Sequence, residues 1–429
     1  MNPILYAIYQ FLKGLTKLSL RLYYPNADLL NIQRLKYKGG SILVSNHPNT
    51  LIDPLNAASR VPKIVHFLAN ASLFGTPFTY WFFNTFFCIP VERPQDTKGK
   101  PINNQAAFAK SHRFLARGGC LFIAPEGGSE MERRVRPFKT GTARIALGAE
   151  AKADFKLGLR ILPVGLSYEH PERFRSHMIV NACEPILVSE YAELYREDSI
   201  AAARQLTKEL EERVRNATID TQSPEEDKAI LAMEQLLRNS QPVAGGEHFK
   251  RTKKLIEAYR EWNDYAPEER LAFDNQLQAY QAKLQALRTT DKAVARPQRL
   301  LLLHILAISM LAPFFLYGFV NNLLPFAAVW WVDRKLDLYI GYQTTVRILA
   351  SLLFFPLAWA IQTIVVAQLC PYAWWYLLTL PLAAWVALRY WEVAAELLAK
   401  LRLRNSVERR SLQQMRTRLL AKVQKLLNR

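Results

Sequence analysis

Residues 45–54 read Ser-Asn-His-Pro-Asn-Thr-Leu-Ile-Asp-Pro and follow directly on the apolar run Ser41–Val44. A histidine at the end of a buried strand, with a carboxylate a few positions on, is the smallest kit for taking a proton from a hydroxyl. Imidazole titrates near neutrality, and a neighbouring carboxylate orients the ring and stabilises the imidazolium that forms. Taken alone, Asp53 would serve equally as a partner for a helix dipole, and His47 as a hydrogen-bonded core residue. A second strand-to-loop junction, Cys120-Leu-Phe-Ile-Ala-Pro-Glu-Gly-Gly-Ser129, tips the balance towards chemistry. Gly127 and Gly128 let backbone amides approach a ligand closely.

Ahead of a helical pattern at Gly141–Ala149 lie Arg133, Arg134, Arg136 and Lys139. Cations beside a helix N-terminus make an anion site, although a solvated basic loop would read the same. The run Cys88-Ile-Pro-Val-Glu-Arg93 delivers one more arginine at a strand end. A phosphate needs at least two converging cations, and Arg93, Arg136 and Lys139 are the candidates.

These junctions need a sheet to bring them together. From about Arg34 to Ile186, short apolar runs alternate with helical patterns. The expected strands are Ser41–Val44, Lys63–Leu68, Phe87–Val91, Cys120–Ala124, Arg160–Leu166 and Met178–Asn181. Helices are expected at Leu51–Ser59, Asn104–Ala116 and Gly141–Ala151, with Asn49 or Thr50 capping the first of them. Continuous apolar strands alternating with helices predict an α/β sheet covered on both faces, with its site at strand ends.

The chain of 429 residues holds 56 basic against 37 acidic side chains, a formal charge of +19. That excess favours polyanions, but the cations form no nucleic-acid-binding motif, so no nucleic acid partner is expected. Four scattered cysteines form no ligand-like pair, and they read as reduced core residues of a cytosolic domain. Neither a metal nor a resident cofactor is implied.

Long apolar runs point instead to the phospholipid bilayer. Residues 1–25 read as an interfacial helix with Lys13, Lys17 and Arg21 on one stripe, able also to pack on its own domain. Residues 26–240 form the catalytic region and 241–298 a helical linker, in which Phe273, Leu277, Tyr280, Leu284 and Leu287 make a narrow seam suited to intramolecular packing. Residues 299–390 are the membrane region. Its second block, 348–388, is broken at Cys370-Pro371 and reads as a transmembrane hairpin at about 20 residues per crossing. The first, 300–332, is flanked by basic residues: Lys292, Arg296 and Arg299 before it, Arg334, Lys335 and Arg347 after it. If all of these face the cytoplasm, the block is re-entrant, turning at Asn321-Asn322, or made of short helices. Residues 391–429 are a basic amphipathic tail suited to anionic headgroups.

The blocks around His47, Arg93, Glu126 and Ile161-Leu-Pro163-Val-Gly165 stand in the order and spacing of the glycerophosphate acyltransferase superfamily, which this region resembles over about residues 25–190. The resemblance implies an acyltransferase fold, a mixed sheet flanked by helices, followed here by C-terminal transmembrane helices. It makes His47 the catalytic base and Asp53 its orienting acid. Asn46 stands beside His47 in the first block as a substrate-binding residue, Arg93, Glu126, Gly127, Gly128 and Ser129 fall in the blocks linked to acceptor binding, and Pro163 in the block linked to the acyl donor. Two features depart from the lysophosphatidate enzymes: five residues, Pro48 to Ile52, separate His47 from Asp53, and Gly-Gly-Ser replaces Gly-Thr-Arg. Both are closer to the glycerol-3-phosphate/dihydroxyacetone-phosphate acyltransferase type.

The resemblance thus implies a multi-pass membrane enzyme of phosphatidic acid synthesis with its catalytic domain on the cytoplasmic side. Acyl-CoA or acyl-carrier protein would be the co-substrate and a phosphorylated glycerol the acceptor. A lysophospholipid acceptor is the nearest alternative, and a non-catalytic lipid-binding scaffold the alternative of another class. A hydrolase is disfavoured, since the chain lacks a Gly-x-Ser-x-Gly elbow.

Overall fold

The computed structural model describes residues 3–93, 103–243, 245–296, 301–403 and 405–428. The expected flank Arg299 and the first residue of the apolar block, Leu300, lie outside them. The chain divides into two units, Met1–Gln222 with Tyr339–Thr345, and Ser223–Leu338 with Val346–Arg429.

The first unit contains α1 (Pro3–Tyr23), β1 (Asn26–Leu30), β2 (Ser41–Ser45), α2 (Ile52–Arg60), β3 (Val65–Asn70), α3 (Pro77–Thr85), β4 (Cys88–Val91), α4 (Gln105–Ala116) and β5 (Cys120–Ile123). It continues through α5 (Gly141–Ala151), β6 (Arg160–Tyr168), β7 (His177–Ala182), β8 (Ile186–Leu187), α6 (Ala192–Glu197) and α7 (Ser199–Asn216). The strands form one mixed sheet in the order β1-β7-β6-β2-β5-β3-β4, with β8 on β6. This is the expected α/β sheet flanked by helices. Strand β2 is buried along its whole length, which is why it reads as an unbroken apolar run. Its Ile42 and Val44 join Leu121, Ile161, Leu147 and Leu206 in the core.

Three elements escape the run pattern: β1, β8 and α3. Helix α3 is rich in aromatic residues, which favour strands. Its real signal is at the start, where Thr76 and Thr79 form a reciprocal capping box and Pro77 takes the first turn. Helix α1 both docks and stays exposed. Tyr9, Leu20 and Tyr23 are buried, and the Tyr9 hydroxyl accepts the Val65 N–H at 3.0 Å. Ile4, Phe11, Leu18 and Leu22 form an outward stripe.

The second unit holds α8 (Pro224–Ser240), α9 (Gly246–Tyr265), α10 (Pro267–Ala286), α11 (Asp291–Ala295), α12 (Leu301–Leu336), α13 (Ile340–Ala367), α14 (Ala373–Leu401) and α15 (Ser406–Leu427), the first turns of α13 counting with the first unit. Helix α8 belongs here rather than to a catalytic region reaching residue 240, and the expected linker is the body of a helical bundle.

Two membrane-region expectations are corrected. No re-entrant turn occurs at Asn321-Asn322; α12 runs straight through it. The amides that suggested a turn are satisfied within the helix layer. Asn321 and Asn322 donate to the Tyr317 and Gly318 carbonyls, both at 2.8 Å, while Tyr376 (2.5 Å) and Trp359 (2.9 Å) donate to their side-chain oxygens. With its polar groups paired across helices, a long apolar helix has no reason to break. The other correction concerns the basic tail. The apolar face of α15 rests on protein, with Leu412, Leu419, Val423 and Leu426 buried against α8, α9 and α10. Arg416 bonds the buried Asp291 at 2.9 Å, a bond no lipid contact would supply.

The expected break at Cys370-Pro371 is present, between α13 and α14. Among the described residues, Ile305–Leu336 and Ile340–Ala367 are long and apolar enough to cross a membrane. Helix α14 runs beyond the expected Leu388 and turns charged at Arg389, Glu392, Glu396 and Lys400.

Candidate active site

Strands β2 and β5 lie side by side and parallel, with Val44 opposite Ile123. Their carboxyl ends therefore release the two sequence blocks next to each other. Strand β3 pairs parallel with both β5 and β4, so Arg93, just past the end of β4, leaves from the same edge. A site at the carboxyl edge of parallel strands follows from this order.

His47 Nδ1 lies 3.1 Å from Asp53 Oδ2. Asp53 is fully buried in the first turn of α2, where Pro54 is tolerated because its missing N–H has no helical partner. Its carboxylate also accepts the Asn49 N–H at 2.5 Å and the Tyr168 hydroxyl at 2.8 Å. Burial, and then the Asp53 charge, raise the Tyr168 hydroxyl well above its ordinary range, so it stays a donor. Engaging Nδ1 leaves Nε2 as the nitrogen of His47 for proton transfer. Neither Asn49 nor Thr50 caps α2 with its side chain. The cap position is Leu51, and Asn49 instead donates to the Tyr24 hydroxyl at 2.9 Å.

His47 lines a cavity of about 1650 Å³. Ordinary small-molecule sites occupy about 300–1,000 Å³, so a long chain and a polar head fit here together. Arg93, Lys139 and Arg144 bring cations to its wall, and Leu55, Phe67, Leu68, Phe82 and Phe86 supply apolar surface. The Gly127–Ser129 turn also lines it, with Ser129 Oγ accepting the Thr50 N–H at 2.9 Å. Gly127 has φ +72°, and a Cβ there would meet the end of the Lys139 side chain, so glycine is what lets the lysine lie over the turn.

Glu126 is buried behind the cavity wall. Desolvation, helped by the Asp53 charge, pushes its carboxyl up to about 8, against the opposing pull of the Arg136 and His47 backbone amides. The group is therefore a neutral acid at neutral pH, able to donate as well as accept.

Other sequence candidates lie away from the cavity lining. Arg136 pairs with Glu130, and with Glu132 at 3.2 Å. Asn46 ties the start of the loop to β6, exchanging two 2.8 Å hydrogen bonds with the backbone of Leu166. Pro163 is buried in β6 opposite Val44. Arg144, in the first turn of α5, lines the cavity without being among the sequence candidates, and its guanidinium lies over the Phe108 ring.

Residues 27–167 match the Acyltransferase family model. Over this segment the chain matches an acyltransferase domain, and among the relatives it is similar to are glycerol-3-phosphate O-acyltransferases. The chain is 33% identical over 143 residues to Glycerol-3-phosphate O-acyltransferase 2 of Saccharomyces cerevisiae, a match covering 33% of this chain and 19% of that protein. Glycerol-3-phosphate O-acyltransferase 1 of the same yeast is 34% identical over 95 residues, covering 21% of this chain and 12% of its own length. The chain thus spans less than a fifth of the length of these curated relatives. Among solved structures, the 1-acyl-sn-glycerophosphate (LPA) acyltransferase PlsC of Thermotoga maritima aligns with TM-score 0.33 and 18% identity, over 49% of this chain and 83% of that one. The acyltransferase domain as matched contains His47, Asp53, Arg93, Glu126 and Lys139. Tyr24 and Tyr168 lie just outside its two ends, with no motif to announce them.

Proposed function

We propose that this chain is a membrane-bound O-acyltransferase that moves a fatty acyl group from acyl-CoA or acyl-carrier protein to a hydroxyl of glycerol-3-phosphate or dihydroxyacetone phosphate. The observation that carries the reading is the His47–Asp53 pair on the wall of a large cavity lined by both cations and aromatic and aliphatic side chains.

His47 Nε2 takes the acceptor hydroxyl proton as the oxygen attacks the thioester carbonyl carbon. The tetrahedral intermediate collapses, the C–S bond breaks, and the imidazolium returns its proton to the departing thiolate. Asp53 holds the ring and stabilises its charged form. Arg93, Lys139 and Arg144 take the phosphate of the acceptor, and the apolar wall takes the acyl chain. Transfer is direct. Cys88 lines the cavity, but burial pushes its thiol up to about 11, leaving it protonated and a poor nucleophile.

The test offers purified enzyme one labelled acyl donor with glycerol-3-phosphate and with lysophosphatidate in parallel. Acylation of glycerol-3-phosphate is expected. Acylation of lysophosphatidate alone would reassign the acceptor, and acceptor-independent thiol release would mark a hydrolase. No turnover with either acceptor, alongside retained lipid binding, would mark a scaffold.

A further inference from the structure

Through the start of α13 the chain makes a seven-residue visit to the first unit, Tyr339–Thr345. The visit is anchored by side-chain hydrogen bonds. Thr50 Oγ1 donates to the Gly341 carbonyl at 2.7 Å, and Thr344 Oγ1 donates to the Pro171 carbonyl at 2.8 Å. The Pro171 carbonyl also takes the Tyr24 hydroxyl at 2.5 Å and Asn49 Nδ2 at 3.3 Å. Asn49 in turn gives its N–H to Asp53. Tyr339, Tyr342 and Thr345 line the same cavity as His47.

We propose that Tyr339–Thr345 completes the acyl-transfer site, with Thr344 as a positioning residue for the His47–Asp53 pair and the Tyr339 and Tyr342 rings as part of the substrate wall. The proposal rests on the acyl-transfer reading and deepens it. Its focus is the five-residue loop, Pro48 to Ile52, between His47 and Asp53. In that loop Thr50 has φ 22°, rare for a β-branched residue and kept only where neighbours over-determine it. Those neighbours are Gly341 on one side and Ser129 on the other. The approach of the segment is close. A Cβ on Gly341 would come within 3.2 Å of Thr50 Cγ2 and closer still to the Tyr339 ring. Thr344 is 1% exposed, so water does not compete for its bond. The segment thus bonds Thr50 directly and shares the Pro171 carbonyl with Asn49, and Asn49 and Thr50 are two of the five residues that join His47 to Asp53.

The test compares Thr344→Val, which keeps the shape and removes the donor, with Thr344→Ser, which restores it, both in the full-length protein in lipid nanodiscs. Thr344→Val is expected to lower kcat about 3- to 10-fold, the loss that one neutral hydrogen bond represents, with KM for both substrates little changed and turnover recovered in Thr344→Ser. Hydrogen exchange at Asn49 and Thr50 should quicken in Thr344→Val alone, a readout that needs no turnover. If the unaltered protein shows no acyl transfer but exchange still responds, the functional reading falls and the positioning role stands. Unchanged kcat and unchanged exchange in a folded Thr344→Val, or equal losses in both variants, would overturn the proposal. Should Thr344→Val fail to fold, Thr50→Val against Thr50→Ser tests the Gly341 tether by the same two readouts, with the same outcomes deciding it.

Discussion

Nδ1 of His47 lies 3.1 Å from Oδ2 of Asp53, and that carboxylate holds two further donors, the Asn49 N–H and the Tyr168 hydroxyl. A carboxylate with three donors cannot turn without breaking several bonds, so the imidazole is held in one orientation. His47→Ala is expected to lower kcat by ~10²–10⁴, the usual loss of a general base. Asp53→Asn should also lose most turnover, because an amide offers donors where acceptors are needed. Tyr168→Phe, losing one of three bonds, should cost about tenfold or less. Steady-state kinetics beside a melting curve separate these from misfolding. Near-normal turnover in folded His47→Ala would remove the mechanism.

Glu126 makes stability depend on pH. Its folded-state pKa of about 8 lies above the ordinary 4.5. Between those values the unfolded chain has lost the proton while the folded protein keeps it, so unfolding releases a proton and stability falls as pH rises. Glu126→Gln substitutes a neutral group of the same shape and should flatten the decline of Tm from pH 5 to 8. An unchanged slope would show that the carboxyl ionises normally in the folded protein.

The cations differ in what surrounds them. Lys139 and Arg93 line the cavity, whereas Arg136 is occupied by Glu130 and Glu132. Lys139→Ala and Arg93→Ala should raise KM for the phosphorylated acceptor severalfold, while Arg136→Ala should have a much smaller effect, as exposed ion pairs contribute about 0–1 kcal/mol. KM for the acyl donor should barely move in any of them. A donor effect instead would place these side chains on the phosphates of coenzyme A.

A chain ending at Arg296 would lack both α15 and Tyr339–Thr345. The first loss uncovers the faces of α8, α9 and α10 that Leu412, Leu419 and Val423 cover, and the second opens the cavity wall. This truncation is expected to lose acyl transfer and to show early protease cleavage in α8–α10. Full activity in the soluble fragment would show that the site is complete without the segment.

What the sequence determined by itself is local. Strands β2, β5 and β6 are legible because strands buried on both faces must be apolar throughout. His47 and Asp53 are legible because a single loop and one helical turn bring them together. The Gly127 turn is legible because few other residues adopt its backbone. What tertiary structure alone decided is which partner each polar or amphipathic residue meets. Asn321 and Asn322 look like a turn until Trp359 and Tyr376 reach them from other helices. The α15 stripe fits lipid or protein equally well, and the bond from Arg416 to Asp291, 125 positions away, shows which it found. Arg136 and Lys139 are equivalent in sequence and separate only once Glu130 and Glu132 engage one of them. Tyr339–Thr345 carries no motif, since its place beside Thr50 comes from hydrogen bonds between residues 291 positions apart. Periodicity reports which face of an element is apolar; a hydrogen-bond partner distant along the chain leaves no trace in neighbouring residues.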